Sequence, residues 1–275
     1  MNDKRICSST NNSNIEIYNE ISFKTEISIK AHKNNINHIF QAKNNNIISS
    51  SIDKTICITK IFPDNSYTIE QTLSSHLSYV FKCIELRDEN LVSCSDDFSL
   101  IFWEKHKNYS KIYTYKNYNK IYDILEVKKN EIVLAQFYDK SLLFLNVNDK
   151  SSNKTISNVD LTGWNNSLFM LNGTLIVGGH NFIYAVDVSK YEILGKHELK
   201  GNVWSVCKLS EFSVLSGDNY GNIIQWKISS NNVELVSEMK NVHDKLITSV
   251  VNLGENKIAS CDGERIKIYL LSDFN

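Results

Sequence analysis

Histidine, aspartate and serine recur in this chain at spacings that could support chemistry. His32 and His38 lie six residues apart, Asp96 and Asp97 are adjacent, and His180 follows two glycines. A protein zinc site needs several nitrogen, sulfur or carboxylate ligands at short, defined spacings, and these histidines lack such neighbours. No Cys-x-x-Cys pair, phosphate-binding loop or nucleophile motif accompanies them. The sequence therefore predicts no enzyme, no catalytic residue, no metal and no cofactor.

The histidines mark the start of a repeated segment. His32, His76 and His243 each begin a copy, and each is followed four residues later by an isoleucine or a valine. A polar turn, an apolar pair, a turn rich in serine and aspartate, and a final apolar run follow in the same order. A period of about 42 residues built from such short runs is typical of a repeat architecture.

The copy from His76 to Trp103 resembles a repeat of the WD-repeat family. That family places a histidine before the innermost strand, a serine or threonine in the next strand, an aspartate in the following turn and a tryptophan in the third strand. His76, Ser95, Asp97 and Trp103 match these positions. The resemblance implies that the four side chains form one hydrogen-bonded network, which stabilises the sheet only when every buried member is satisfied.

Other copies match the family less completely. The copy at His32 retains Ser51 and Asp53 but has Thr59 in place of the tryptophan. A later copy retains Trp226 but has Tyr220 at the aspartate position. The resemblance covers nearly the whole chain, with the best match over residues 30–104 and the weakest over 150–190.

Short apolar runs bounded by asparagine, aspartate, glycine or serine predict β-strands, and no segment shows a sustained helical period. Seven third strands can be counted, ending near Tyr18, Thr59, Trp103, Leu145, Val186, Trp226 and Tyr269. We therefore predict an all-β fold, a β-propeller of four-stranded antiparallel blades forming a single domain over residues 1–275. Seven blades, the first without its innermost strand, are favoured. The alternative has six blades, with residues 4–18 as an extra N-terminal hairpin and the segment from Phe23 to Ile29 paired with the final blade.

Composition predicts a soluble protein of the cytoplasm or nucleus. The net charge is −1 and 42% of the residues are hydrophobic, which suits a folded core and gives no overall field that attracts nucleic acid or acidic membranes. The first residues lack the apolar stretch of a signal peptide, and no run reaches the length of a membrane span. A disulfide framework is not expected for six cysteines in such a chain.

The family resemblance also implies where partners bind. WD-repeat propellers commonly use one narrow face, called the top, lined by residues at the start of each innermost strand and by the residue before the turn aspartate. Carried over to this chain, the candidate residues are Tyr79, Phe81, Asp96, Tyr122, Trp164, Asn202 and Trp204. Large aromatic side chains are the usual anchors of protein interfaces. We predict a scaffold that binds a peptide or protein on this face, with no small-molecule substrate.

The segment 105–120 suggests a second function. Lysines at 105, 107, 111, 116 and 120 alternate with four tyrosines, and basic residues among aromatic ones are typical of surfaces that bind single-stranded nucleic acid. Phosphorylated lipid would use the same positive charge. The segment contains no arginine and the chain is nearly neutral, so an outer strand with solvated lysines is favoured over either ligand.

Overall fold

The computed structural model of the chain describes residues 5–9, 12–19, 21–137, 139–162 and 167–274. These ranges contain 26 strands in seven antiparallel sheets, and the strands of every sheet pair in chain order. The fold is a seven-bladed β-propeller, with five sheets of four strands and three-stranded first and last sheets. Helix in the described ranges is limited to single 3-10 turns at Lys105–Lys107, Lys150–Ser152 and Leu271–Asp273.

The chain divides into two compact units, of which the first ends at Ile124. Its strands form three sheets, β1–β3, β4–β7 and β8–β11. Their bounds are β1 (Arg5–Ser9), β2 (Ile15–Asn19), β3 (Thr25–Ile29), β4 (Ile36–Gln41), β5 (Ile47–Ser51), β6 (Ile56–Ile61), β7 (Tyr67–Leu73), β8 (Val80–Glu85), β9 (Leu91–Ser95), β10 (Ser99–Glu104) and β11 (Ser110–Lys116).

The second unit begins at Leu125, within β12. Its sheets are β12–β15, β16–β19, β20–β23 and β24–β26. Their strands are β12 (Ile121–Lys128), β13 (Glu131–Gln136), β14 (Asp139–Asn146), β15 (Lys154–Leu161), β16 (Ser167–Leu171), β17 (Thr174–Gly178), β18 (Phe182–Asp187), β19 (Glu192–Glu198), β20 (Val203–Ser210), β21 (Ser213–Asp218), β22 (Ile223–Ile228), β23 (Val233–Met239), β24 (Ser249–Gly254), β25 (Lys257–Cys261) and β26 (Ile266–Leu270).

The first sheet decides between seven and six blades. β3 pairs with β2, with Ile29 opposite Ile15, so the segment from Phe23 to Ile29 belongs to the first sheet and the six-bladed alternative is wrong. All five residues of β1 are only half-buried, whereas β5 and β9, the second strands of the next two sheets, are fully buried. The described part of the first sheet thus has no strand in the innermost position, as the seven-bladed prediction requires.

Apolar side chains between neighbouring sheets form the core. In the first unit Ile48, Val80, Leu91 and Trp103 belong to one buried cluster that joins the sheets β4–β7 and β8–β11. A fully buried side chain of this size contributes about 1.5 to 3 kcal/mol relative to exposure. Both faces of the inner strands are covered, and for this reason runs such as Leu91–Ser95 are buried without alternation.

Asparagine closes many of the turns between strands. Asn45 has a φ of 68° and donates its backbone N–H to the carbonyl of Ala42 over 2.9 Å, which closes the turn between β4 and β5. Asn65 and Asn130 adopt similar positive φ values after other strands. Asparagine tolerates the left-handed region better than most residues, so part of the high asparagine content has a structural use.

The turns of the first unit create a surface at one end of its sheets. Because neighbouring strands run in opposite directions, the start of a first strand lies beside the end of the second, the start of the third and the end of the fourth. We call this surface of the first unit the rim. It comprises residues 30–35, 52–55, 74–79, 96–98 and 116–120.

Backbone hydrogen bonds hold the rim together. The N–H of Ile52 donates to the carbonyl of Asn35 over 2.9 Å, and the N–H of Asp96 donates to the carbonyl of Tyr79 over 2.9 Å. Between the two sheets, the Asn37 side chain donates to the carbonyl of Val80 over 2.9 Å. The rim loops are therefore fixed to the strands that follow them.

Candidate functional site

A buried hydrogen-bonded network ties the rim to the sheet β8–β11. The Nδ1 of His76 lies 3.0 Å from a carboxylate oxygen of Asp97, and its Nε2 lies 2.8 Å from the hydroxyl of Ser93. The indole N–H of Trp103 donates to the same hydroxyl over 2.9 Å. One serine oxygen therefore connects the histidine with the tryptophan.

Sequence analysis named Ser95 as the serine of this network, and the structure corrects that assignment to Ser93. Ser95 lies at the end of β9, where its hydroxyl donates to the carbonyl of Ser78 over 3.3 Å and accepts the N–H of Asp97 over 3.1 Å. Residues two apart in a strand point to the same face, so both serines face inward and only their distances from His76 separate them.

Asp97 fastens the loop before β8. Its carboxylate accepts the backbone N–H of Leu77 over 2.8 Å and that of Ser99 over 3.0 Å. Burial disfavours the charged carboxylate, but hydrogen bonds from His76, Ser99 and Leu77 outweigh it and lower the pKa of Asp97 below its ordinary value. The ionised aspartate thus holds both sides of the rim loop.

Parts of the network recur in other sheets. In β4–β7 the Nε2 of His32 lies 2.8 Å from the hydroxyl of Ser49, again two residues before the predicted Ser51, and Nδ1 lies 3.0 Å from Asp53. The hydroxyl of Thr59, which stands in for the tryptophan, is buried without a partner among the described residues.

Two sheets of the second unit contain further versions. In β24–β26 the Nε2 of His243 lies 2.8 Å from the hydroxyl of Ser260, and its Nδ1 lies 3.1 Å from Asp262. In β20–β23 the indole N–H of Trp226 donates to the hydroxyl of Ser216 over 2.8 Å. Histidine–serine and serine–tryptophan links therefore occur separately as well as together.

The structure brings four predicted partner-binding residues together in the first unit. Tyr79 is 45% exposed, and Asp96 pairs with Lys120 over 2.6 Å. Phe81 is half-buried and packs on Tyr122, with ring centroids 4.4 Å apart, and Tyr122 is only 8% exposed. Tyr79 and Asp96 thus face solvent at the rim, while Phe81 and Tyr122 support it from below.

The other predicted residues belong to the second unit. The N–H of Asn202 donates to the Asn219 side chain over 2.7 Å. Trp204 is half-buried, and its indole N–H is buried without an acceptor among the described residues. Trp164 lies outside the described residues. The part that these three residues play in binding stays a prediction.

Sequence reasoning missed three exposed side chains of the rim. Leu77 is 74% exposed, Phe98 41% and Tyr118 98%. Phe98 has a φ of 64°, so a large apolar residue occupies a turn position that favours glycine or asparagine. That mismatch was a sequence signal, because a phenylalanine between Asp97 and Ser99 contributes nothing to the turn.

These side chains lie on loops that are bonded to each other. Leu77 donates its N–H to Asp97, the residue before Phe98. The N–H of Asn117, next to Tyr118, donates to the carbonyl of Phe98 over 2.8 Å. With Tyr79, they form what we call the rim patch: Leu77, Tyr79, Phe98 and Tyr118.

The basic segment 105–120 is distributed along the height of its sheet. Lys105 pairs with Glu89 over 2.7 Å at the end opposite the rim, and Lys107 pairs with Glu104 over 3.0 Å. Lys120 is paired with Asp96 at the rim. Between them β11 runs for seven residues, which span on the order of 20 Å at strand spacing.

The tyrosines of this segment serve mainly in packing. Tyr109 is buried, and Tyr113 stacks on Phe102 with ring centroids 4.3 Å apart and an angle of 11° between the planes. Such contacts occupy the ring faces that a nucleic acid base would need. Tyr118 alone among the segment's four tyrosines is almost fully exposed.

Within the described ranges, no group of three or more histidine, cysteine, aspartate or glutamate side chains could hold a metal ion. The helices of those ranges are all too short to cross a bilayer.

Comparisons with known proteins agree with the fold and the network. Residues 23–59 match the family model described as "WD domain, G-beta repeat". No curated protein sequence matches the chain. The solved "Structure of U3-55K" is similar with a TM-score of 0.80 and 14% identity, covering 94% of this chain and 85% of that one.

Two further structures are similar over almost the whole chain. A chain in the "Crystal Structure of Mitotic Checkpoint Complex" gives a TM-score of 0.78 and 12% identity, covering 97% of this chain and 85% of that one. The "Crystal structure of RRP9 WD40 repeats" gives 0.80 and 14%, covering 94% and 84%. At such identities the likeness shows the fold, a propeller built from repeated four-stranded blades.

That fold, the matched repeat and the recurring histidine–serine–aspartate links define a propeller of a class that typically acts as an interaction scaffold and generally lacks catalysis. The chain is a WD-repeat β-propeller.

Proposed function

We propose that this protein is a non-catalytic scaffold that binds a peptide or protein segment on the top face, with the rim of the first unit as the contact surface. The observation that carries the proposal is the rim patch. Leu77, Tyr79, Phe98 and Tyr118 expose large apolar side chains on loops fixed by backbone hydrogen bonds. Preformed loops lose little conformational freedom on binding, and exposed apolar patches on such loops commonly mark interfaces.

Complex membership supports the same function. One structure similar to this chain is that of the Mitotic Checkpoint Complex, an assembly of several proteins by its name. We infer that the present chain also works inside a protein complex. The identity of its partner follows from neither the fold nor the name of that structure.

The contacts of residues 105–120 weigh against a nucleic acid or phospholipid ligand there. Lys105, Lys107 and Lys120 are engaged by carboxylates, and Tyr109 and Tyr113 are packed. Neutralising Lys105, Lys107 and Lys111 should therefore leave partner binding unchanged.

The test replaces the apolar side chains of the rim patch without disturbing its turns. We suggest the triple variant Leu77→Ser, Tyr79→Ser and Phe98→Asn, because asparagine suits the positive φ at position 98. Loss of interface anchors of this kind commonly costs about 2 kcal/mol or more each, so capture of the native partner in a pull-down should disappear while the melting temperature is retained.

A matched control carries the same number of changes at exposed apolar positions of outer strands. Tyr67→Ser and Ile69→Ser on β7, with Ile112→Ser on β11, remove side chains of similar exposure. This variant should retain the partner. Equal capture by the two triple variants would contradict the proposal.

The pair Phe81→Ala and Trp204→Ala, expected from the sequence to abolish binding, serves as a second probe. Both side chains are half-buried, so truncation should lower stability as well as binding. A loss of binding by this pair therefore counts only when its melting temperature is preserved.

A further inference from the structure

The rim carries lysines that have no carboxylate partner. Lys30, Lys33, Lys54 and Lys116 are exposed, and none of them forms an ion pair with any residue that the structure describes. Lys33 and Lys54 flank Asp53 in the sheet β4–β7, and Lys116 ends β11 beside the rim patch. Positive charge thus lies on both sheets that border the patch.

The carboxylates of the same surface are all occupied. Asp53 accepts bonds from His32, Thr55 and the N–H of Lys33. Asp97 binds His76 and the N–H of Leu77. Asp96 pairs with Lys120, and deeper in the sheet Asp123 pairs with Lys82 over 2.5 Å. The charges that remain free for a ligand are therefore positive.

The loops at the corresponding end of the last sheet are different. Lys245 pairs with Glu264, and Arg265 lies 3.9 Å from Asp244. Cations there have acidic neighbours within the same loops. The excess of unpaired lysine is a property of the rim.

We propose that the segment bound by the rim is an acidic peptide with an apolar anchor, a refinement that rests on the proposed function. The anchor would contact the rim patch, and aspartates or glutamates on either side would face Lys116 and the Lys33–Lys54 pair. Opposite charges across an interface steer partners and select among them. The rim contains no arginine, the residue that binds phosphate groups with two parallel hydrogen bonds, so the complementary charge is that of carboxylates.

The experiment selects ligands for the purified full chain from a random library of short displayed peptides. Enriched sequences should combine an aromatic or leucine residue with two or more acidic residues. A consensus peptide is then synthesised in four forms: acidic, with the acids changed to amides, with the acids changed to lysines, and with phosphoserine in place of the acids. A uridine-rich single-stranded RNA is the fifth probe, and fluorescence anisotropy measures binding of each.

We expect the acidic form to bind best. The triple variant Lys33→Gln, Lys54→Gln and Lys116→Gln should weaken it by roughly tenfold, as three exposed ion pairs would. Higher salt should weaken it further. The matched control is Lys129→Gln, Lys154→Gln and Lys227→Gln, which removes the same charge from exposed lysines of the second unit and should leave affinity unchanged.

The outcomes separate this inference from the proposed function. If neutral or basic peptides are enriched and lose affinity in the Leu77, Tyr79 and Phe98 variant but not in the lysine variant, the scaffold function stands and the acidic partner is wrong. Preferred binding of the phosphoserine form or of the RNA overturns the carboxylate assignment. Peptides that ignore both rim variants overturn the inference together with the proposed function.

Discussion

In the sheet β8–β11 one serine hydroxyl is shared by a histidine and a tryptophan, whereas in β20–β23 the corresponding serine contacts the tryptophan only. Ser93 links His76 with Trp103, and Ser216 bonds Trp226. Leu199 stands where the second sheet would need the histidine, and Tyr220 stands at the aspartate position. The sheet nevertheless forms, so the two halves of the network are separable.

The two sheets also fasten their loops with different residues. Asp97 accepts the N–H of Leu77 in the first case, and Asn219 accepts the N–H of Asn202 over 2.7 Å in the second. Asp218 caps the turn by accepting the N–H groups of Tyr220 and Asn222. What both sheets retain is a side-chain acceptor for the loop before the innermost strand, whatever residue supplies it.

The largest expected difference is between Ser93→Ala and Ser216→Ala. Loss of Ser93 leaves both His76 and Trp103 without a buried partner, at a cost of about 2 to 4 kcal/mol, while loss of Ser216 affects one donor and costs about 1 to 2 kcal/mol. Urea unfolding of each variant measures the difference. Ser95→Ala is the control for the assignment, and a greater cost there than for Ser93→Ala would refute the network described above.

A second difference concerns acid. The pKa of Asp97 is lowered from 3.8, so its contribution to stability is present above that pH and is lost as the pH falls below it. Burial raises the pKa of Asp218, so its contribution is present below 3.8 and is lost as the pH rises through the higher folded-state value. Asp97→Asn should cost about 1 to 3 kcal/mol at neutral pH, and Asp218→Asn should cost less.

Unfolding free energies measured at neutral and acid pH test this contrast. The gap between wild type and Asp97→Asn should narrow as the pH falls below 3.8, and the gap for Asp218→Asn should not narrow. Parallel pH profiles for the two variants would show that their aspartates are equivalent.

The smallest expected effect is at the substitute loop tie. Asn219→Ala removes the acceptor for the N–H of Asn202 and should destabilise the loop by about 1 kcal/mol, which tryptic cleavage after Lys200 would report as faster nicking. Asn219→Asp retains an acceptor oxygen and should cleave at the wild-type rate. If Asn219→Ala does too, the loop is held by other contacts.

The repeat period was enough to predict seven sheets, because each copy supplies short apolar runs at fixed intervals and turns rich in asparagine. The third strands predicted to end near Thr59, Trp103 and Trp226 are found at β6, β10 and β22. Missing strands at the two ends were predicted for the same reason, since the apolar runs of a complete blade could be counted in the other copies.

The serine of the network could not be chosen from sequence. Ser93 and Ser95 share one face of β9, and Trp103 stands opposite Leu91 in the register but reaches diagonally to Ser93. Diagonal reach depends on the long indole side chain and on the stagger between strands. Exposure on the rim was equally hidden: Phe81 and Tyr122 stack on each other, a pairing that requires the spacing of neighbouring innermost strands.

The indole bonds of Trp103 and Trp226 also give the protein two internal clocks. Each indole proton is held by a buried serine, and the two tryptophans belong to different units. In deuterated water each proton exchanges only when its own surroundings open. The two indole resonances would therefore time the opening of the first and second units separately, in the unmodified chain.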